Sequence, residues 1–598
     1  MTAPNRATLW GETLVGELSS AGVDAVCLAP GSRSTPLTLA FAAHDGVETF
    51  SHLDERSTAF FALGRARVTG QPTAVVCTSG TAAANFHPAV LEASESRVPL
   101  LALTADRPPE LQDTGANQTT DQEKLYGDAV RWYRTLPEPE ADARKLRSLR
   151  VTADRAVAEA TGTPPGPVHL NVPFRKPLEP TPVEGDVPSD LAETAPLGAG
   201  GREGPFVRTQ RGESTPRAET VAELATAVEA TDRGLLVTGP ADAPTPSRDA
   251  LAGLAAATGF PVLADPLSGH RFGPHTDQEG VTVCGGYDSY LDADGAVPEP
   301  ELVFRFGASP TSKTLRKYLA GTGARQVLVD PAGGWREAEL TATDLVAADP
   351  DQVAEPLADA VDAPGDREYR HTFERLEEQY WDAVAGGAGA TARGTGDEAA
   401  LFEGAILHTV AANAPSGTTL VVSNSMPVRD LDRFGKPRTA PVRVLGNRGV
   451  SGIDGVTSTA LGAGSAADGP LVLVIGDVAF YHDMNGLLAL QRCDVDATIV
   501  LIDNDGGGIF HKLPIESFDP PFTEQFRTPH GLDFEPAGDI YEFGFERFDA
   551  LGPFSERFVD AVGSGGTTVL SVELDAERSH RRREAIHETV CEALSSEE

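Results

Sequence analysis

Short apolar runs alternate with amphipathic stretches along most of this chain. In the first 180 residues, DAVCLA, TFSHL, TAVVCTS and PLLALTA read as buried strands. Between them, STPLTLAFAAH, ERSTAFFALGRARV and TAAANFHPAVLEA carry apolar residues at helical spacing. PGPVHLNVPF supplies a last strand. Strands separated by helices of this length imply right-handed crossovers and a parallel sheet. Residues 181–217 are rich in Pro, Gly, Glu and Thr, show no period, and read as a linker. A second block, 218–382, holds GLLVTG, PVLAD, LVFRFG and QVLVD. AVAGGAGATARGTG, residues 383–396, is a second low-complexity linker. The third block, 397–598, holds TLVVSNS, PVRVLG, LVLVIGD, ATIVLIDN and TTVLSVEL. The pattern predicts an α/β protein of three doubly wound parallel-sheet domains. No close internal repeat is visible, and the first and third blocks are candidates for a shared fold.

The centre of the third block is a strand, a helical stretch (HDMNGLLALQR) and a second strand. Ligands of open parallel sheets bind at the carboxyl ends of the strands. Asp477 closes the first strand, Asn504 closes the second, and Gly506, Gly507 and Gly508 follow. A carboxylate, an amide oxygen and the main chain at Gly506 suit a hard cation such as Mg²⁺, which takes oxygen ligands and substrate phosphates. The glycines let backbone approach a phosphate closely. LGAGSAADG precedes a strand, so the dinucleotide-binding context is missing, and it reads as a helix end and turn. PGSRSTPL follows the first strand and opens a helix, so Ser32, Arg33 and Ser34 form a candidate anion site. The alternative is an ordinary capped helix with an exposed arginine. Glu55 begins a helix just beyond a strand, and by itself reads as a mildly stabilising N-terminal carboxylate.

Composition narrows the function. A net charge of -39 argues against a nucleic-acid partner, whose phosphates need a basic surface. Seven Lys stand against 42 Arg, and acidic excess with so little Lys suits a salt-adapted cytoplasmic protein. Such charge bears on solubility and not on fold. Cys27, Cys77, Cys284, Cys493 and Cys591 are far apart, without paired metal spacing, so no disulfide scaffold is expected. The opening MTAPNRATLW lacks a signal pattern. No apolar run nears the ~20 residues that span a bilayer.

Six motifs lie in order: APGSRSTPLTLA, CTSGTAAANFHPAVLEA, LTADRPPELQDTGANQ, SNSMPVRDLD, GNRGVSGIDG and NDGGGIF. Together they make the chain similar to the thiamine diphosphate-dependent enzymes, and among these to the carboligases of menaquinone biosynthesis. The likeness is dense in 1–130 and 420–515 and thin elsewhere. It implies three domains of that type: a pyrimidine-binding domain at 1–180, a middle domain, and a diphosphate- and metal-binding domain at 397–598. It implies thiamine diphosphate with Mg²⁺ or Mn²⁺, the metal held by Asp477, Asn504 and Gly506. The usual Gly-Asp-Gly is here Gly476-Asp477-Val478. Glu55 would bond the aminopyrimidine ring nitrogen. Ser425, Ile453 and Gly507 would contact the cofactor, with Ile453 wedged beneath it.

The resemblance further implies that 2-oxoglutarate loses CO₂ and its remaining carbons add to isochorismate. Both substrates are dicarboxylates, which Arg binds in bidentate fashion. Arg33, Arg107, Arg429 and Arg448 each sit in a matched motif, in Gly/Ser/Pro-rich loops. Asn117 and Gln118 stand beside them, Ser32 joins them, and Lys313 is a further candidate. Ile509 and Phe510 are either pocket walls or plain core. The chain has no adjacent His pair, and His52, His87, His482 and His511 read as structural. Active sites shared between subunits of a homodimer or homotetramer are expected. An acetohydroxyacid synthase-like enzyme, a cofactor-binding protein without turnover and a scaffold protein are the competing readings.

Overall fold

The computed structural model describes residues 3–242, 244–293, 295–362, 367–389 and 401–595. The first sheet contains β1 (Ala25–Leu28), β2 (Glu48–Ser51), β3 (Thr73–Cys77), β4 (Leu100–Asp106), β5 (Trp132–Thr135) and β6 (Pro167–Pro173). Its order is β2-β1-β3-β4-β6-β5, and every pairing is parallel. The second sheet contains β7 (Gly234–Thr238), β8 (Val262–Ala264), β9 (Val283–Cys284), β10 (Leu302–Phe306), β11 (Arg325–Val329) and β12 (Asp344–Val346), in the order β12-β11-β10-β7-β8-β9. The third contains β13 (Thr419–Val422), β14 (Arg443–Leu445), β15 (Leu471–Gly476), β16 (Thr498–Asp503), β17 (Gly544–Phe548) and β18 (Thr568–Glu573), in the order β14-β13-β15-β16-β18-β17. The first and third sheets therefore share one winding order without recognisable sequence repetition.

The central strands are apolar because both faces are covered, as parallel sheets require. β3 and β4 are buried at every position. β5, β9, β12 and β17 escape the hydrophobic pattern, and all four lie at sheet edges. β5 and β12 are only half-buried, and β9 has two residues. An edge strand needs no continuous apolar run.

The described residues gather into two compact units that cut across the expected boundaries. One runs to Arg211 and adds Asn447–Ala467 and Asp483–Val495. The other takes Gly212–Gly446, Asp468–His482 and Asp496 onward. So the block expected at 397–598 gives two of its segments to the first unit. The helix Val456–Gly464 packs there, backbone to backbone, on the helix Glu55–Thr69. A Cβ on Gly64 would stand 1.9 Å from Thr459 O, and one on Gly462 would stand 1.9 Å from Phe61 O. Buried Asp483 accepts from Ser458 N at 2.7 Å and from Ser458 Oγ at 3.0 Å. Arg492 Nε donates to Ser51 O at 2.8 Å.

Three expectations are corrected. Residues 181–217 are no free linker: Leu191 and Ala195 join the first core, and Phe206 N donates to Glu17 Oε1 at 2.6 Å. The stretch 383–396 begins inside the helix Arg367–Gly389, with Val384 fully buried; 390–396 lie outside the described residues. HDMNGLLALQR is not one helix. The helix Asp477–His482, a 3₁₀ turn Met484–Leu488 and the helix Ala489–Arg492 replace it. Asp483 turns inward to Ser458 and breaks the run.

In the second unit the middle and third blocks share a core that includes Tyr287, Tyr380, Phe402 and Phe434. Arg271 is fully buried there and donates to the carbonyls of Ala264, Asp432 and Gly435 and to the Asp432 carboxylate.

Candidate active site

In the first unit the winding direction reverses between β1 and β3, which is where such sheets bind ligands. Gly31, just past β1, faces Thr78; a Cβ there would meet Thr78 Cβ at 2.2 Å. The close approach lets Arg33 N donate to Thr78 Oγ1 at 3.2 Å. Arg33 is buried, and its Nη1 donates to Phe174 O at 2.7 Å. Arg107 leaves the end of β4 and donates from Nη2 to Asn117 O at 2.6 Å. The Nε atoms of both arginines are buried without partners among the described residues. Burial, then the Arg107 charge, lowers the Arg33 pKa, with Asp106 pulling the other way.

A network of amides, buried at Asn171 and Gln122 and reaching exposed Gln118, holds this floor. Asn171 Nδ2 donates to Asp106 Oδ2 at 2.8 Å, and Arg107 N donates to Asp106 Oδ1 at 2.7 Å. Gln122 bridges Asn171 to Gly80 N. Gln118 Nε2 donates to Ser79 O at 3.1 Å, while Ser79 Oγ donates to Gln118 O. Ser32 and Asn117 are exposed on the rim. Ser34 does not cap its helix; its hydroxyl donates to Gly31 O.

Glu55 is the first residue of its helix, just after β2, and is half-buried. Asp54 caps that helix by accepting from Arg56 N and Ser57 N. Burial raises the Cys77 thiol at the end of β3, and the Glu55 charge raises it further. The loop with Arg448 and Ile453 belongs to the same unit. Buried Glu92 grips it, accepting from Gly449 N at 2.9 Å and Val450 N at 2.8 Å. Gly455 then lies against the Phe60 ring, where a Cβ would come within 2.1 Å.

In the second unit the reversal falls between β13 and β15. Asp477 is 2% exposed; its Oδ2 accepts from Asn504 N (3.1 Å), Gly506 N (3.0 Å) and His530 Nε2 (3.2 Å). Asn504 turns its Nδ2 to Glu403 Oε1 at 2.6 Å, and its Oδ1 is buried without a partner among the described residues. Gly506 has φ +133, and a Cβ there would sit 2.1 Å from Arg527 O. Its carbonyl accepts from Gly508 N at 3.0 Å, while Gly507 N donates to Arg527 O at 2.7 Å. Ser425 holds φ +71, a strained setting for a residue with a Cβ, between β13 and the helix Met426–Phe434. Arg429 donates to the Ser425 carbonyl. Ile509 and Phe510 are half-buried, not core, with Phe510 edge-on to Phe526. Lys313 is exposed at the start of the helix Lys313–Gly321, past β10.

Four residues here have no part in the sequence reading. His530 and Asp503 join Asp477 in a group whose ligand atoms lie within 4.8 Å of one another. Burial, then the Asp477 charge, pushes the Asp503 carboxyl up to about 6. Glu92 and Glu403 lie in the helices His87–Glu95 and Glu403–Asn413, where a glutamate has no distinguishing local pattern. Of the isolated histidines, His52 is a core residue: it packs on Phe61, and burial lowers it to about 4. An unpartnered amide oxygen beside a carboxylate fits a hard divalent cation.

Residues 10–125 match the family model for the N-terminal TPP-binding domain of thiamine pyrophosphate enzymes. The chain is 61% identical over 603 residues to the 2-succinyl-5-enolpyruvyl-6-hydroxy-3-cyclohexene-1-carboxylate synthase of Haloarcula marismortui, covering 100% of both. It is 59% identical to the synthase of Halobacterium salinarum, covering 99% of each. Among solved structures it resembles a thiamine diphosphate-dependent 4-hydroxybenzoylformate decarboxylase from Rhodococcus jostii, at 18% identity and TM-score 0.72, covering 95% of this chain and 99% of that one. A benzoylformate decarboxylase from Polynucleobacter necessarius aligns at 19% identity and TM-score 0.69, with the same coverage. These two establish the fold alone. Identity of 59–61% sustained from end to end makes this chain a member of the 2-succinyl-5-enolpyruvyl-6-hydroxy-3-cyclohexene-1-carboxylate synthase family.

Proposed function

We infer that this protein is a thiamine diphosphate-dependent carboligase. It releases CO₂ from 2-oxoglutarate and joins the remaining four carbons to isochorismate by conjugate addition, in menaquinone biosynthesis. The observation that carries this reading is the full-length identity of 61% to a relative bearing the synthase name. An acetohydroxyacid synthase-like activity is not favoured, because relatives covering the whole chain carry the synthase name instead.

When bound, the cofactor supplies the electron sink that decarboxylation needs. The chain's own groups bind and orient. Glu55 would hold the aminopyrimidine nitrogen and share its proton. Asp477 and Asn504 Oδ1 would hold Mg²⁺ or Mn²⁺, with the Gly506 main chain completing the set and Gly507 against the diphosphate. Ser425 and Ile453 would set the cofactor's position. Arg33 and Arg107 form the carboxylate clamp on the first unit, aided by Ser32, Asn117 and Gln118. Arg448, Arg429 and Lys313 are the remaining cations proposed for the two dicarboxylates, with Ile509 and Phe510 as apolar walls.

The proposal extends to a homodimer or homotetramer whose sites draw Glu55 from one subunit and Asp477 from another. Mixing Glu55→Ala with Asp477→Ala protein tests this. Proven subunit exchange without recovered activity would count against it. The reaction is assigned to the cytoplasm of a salt-adapted cell, and no described helix is long and apolar enough to cross a membrane.

The test is isochorismate loss in high salt with 2-oxoglutarate, thiamine diphosphate and Mg²⁺. Loss that requires both substrates and the cofactor supports the reading. No loss from folded, cofactor-bound protein overturns the choice of acceptor.

A further inference from the structure

The metal-site proposal leaves open how Asn504 presents oxygen and not nitrogen. An amide has two ends of nearly equal size, and only one is a metal ligand. In this structure the choice is made by the residue behind it. Glu403 Oε1 takes Asn504 Nδ2 at 2.6 Å, so Oδ1 is left facing away, buried and unpartnered among the described residues. Glu403 is itself fixed. Its Oε2 accepts from Arg583 Nη2 at 2.7 Å, and its main-chain N–H donates to Ser579 Oγ at 3.0 Å. Arg583 is held in turn by Asp430, through Nε at 2.6 Å and Nη2 at 2.8 Å. Glu403, Asp430 and Arg583 are all at most 2% exposed. Gly508 keeps the junction open: a Cβ there would stand 2.7 Å from Asn504 Nδ2.

We propose that Glu403 is a positioning residue that fixes the Asn504 amide with its oxygen toward the cation, and that the C-terminal helix Ala576–Ser595 holds Glu403 in place through Ser579 and Arg583. Groups behind a metal ligand orient it, and losing one typically weakens metal affinity about 10–100-fold. The inference rests on Asp477 and Asn504 being the metal ligands, so the test begins there.

Mn²⁺ binding is titrated by the electron paramagnetic resonance of the free ion, with thiamine diphosphate present, on proteins whose folding is checked by circular dichroism. Wild type should bind, and Asp477→Ala should not. Equal binding by both would overturn the site reading itself. Given that control, Glu403→Ala should weaken Mn²⁺ binding at least about tenfold. The decisive arm is Asn504→Asp, whose side chain offers oxygen at both ends. In that background Glu403→Ala should cost no affinity, because no orientation remains to be chosen. A merely structural Glu403 would give the same loss in both backgrounds, and that result would overturn the inference. Should Glu403→Ala fail to fold, Glu403→Leu enters the same cycle, since Asp430 still neutralises Arg583. Unchanged affinity in the folded single variant also overturns it.

Discussion

Replacing Gly64 by alanine adds one methyl where two helices touch through their main chains. That methyl would lie 1.9 Å from Thr459 O and 2.8 Å from Ala463 N. Real Cβ contacts below 3.0 Å are essentially never seen, so the helices must separate by more than 1 Å. No side chain is free to swing aside, because both obstacles are backbone. Overpacking typically costs about 1–3 kcal/mol, and a main-chain obstacle puts this case at about 3. Gly16 supplies the control. It lies inside the helix Arg6–Ser20 with nothing within 4 Å of its virtual Cβ. There alanine should stabilise by about 0.5–1 kcal/mol, the ordinary helix preference. The two substitutions are chemically identical and should act with opposite sign. Guanidinium unfolding at constant total salt reads both. Glu55 lies nine residues before Gly64 on the same helix, about 13 Å along its axis. A shift of 1 Å in a positioned group costs about 100-fold in rate, so turnover by Gly64→Ala should fall by that order even below its unfolding midpoint. A Gly64→Ala protein as stable and active as Gly16→Ala would refute the backbone packing described here.

The remaining predictions concern charge. Glu55→Gln should abolish turnover while leaving thiamine diphosphate binding measurable by calorimetry; normal turnover removes Glu55 from its role. Arg107→Ala should raise KM for the dicarboxylate substrates at least tenfold while moving the unfolding midpoint little, and a variant that loses stability instead would make Arg107 structural. Burial raises the Asp483 carboxyl to about 7, against the hydrogen bond from Ser458 and the charge of Arg56. The ordinary value is about 3.9, so the folded state binds more protons between about pH 4 and 7. Stability from this group is therefore fully present at low pH and lost as pH rises through that window. Three pKa units correspond to about 4 kcal/mol as an upper figure. Asp483→Asn should flatten the pH dependence of unfolding between about pH 4 and 7, and parallel profiles for variant and wild type would contradict the assignment.

How much of this was legible depended on burial and on locality. Runs such as LVLVIG and TIVLID announced themselves because both their faces are covered. WYRT at an edge did not, since half of it meets solvent. Asp477 and Glu55 stood out at ends of elements, where chemistry gathers. His530 lies 53 positions beyond Asp477 in an irregular stretch, and nothing local tied the two together. Glu403 follows a low-complexity segment and opens an apolar helix, where a carboxylate needs no special reason. Its role is visible only through Asn504 and Arg583, 101 and 180 positions away. The migration of 447–467 and 483–495 to the first unit was hidden for a different reason. At Gly64 and Gly462 the partners are main-chain atoms, which leave no side-chain signature, and the side-chain bonds from Glu92, Asp483 and Arg492 join residues hundreds of positions apart or in separate elements.

That migration also sets a timetable for synthesis. When residue 211 leaves the ribosome, the helix that bears Glu55 has no neighbour for its Gly64 face. Phe60 awaits Gly455, Ser57 awaits Asp483, and Ser51 awaits Arg492. More than 240 further residues must be made before the first of these arrives. The contacts of this face therefore cannot close until the chain is past residue 495. A gene fragment ending at 211 should yield an aggregation-prone product, and supplying 447–495 in trans as a separate peptide should protect it.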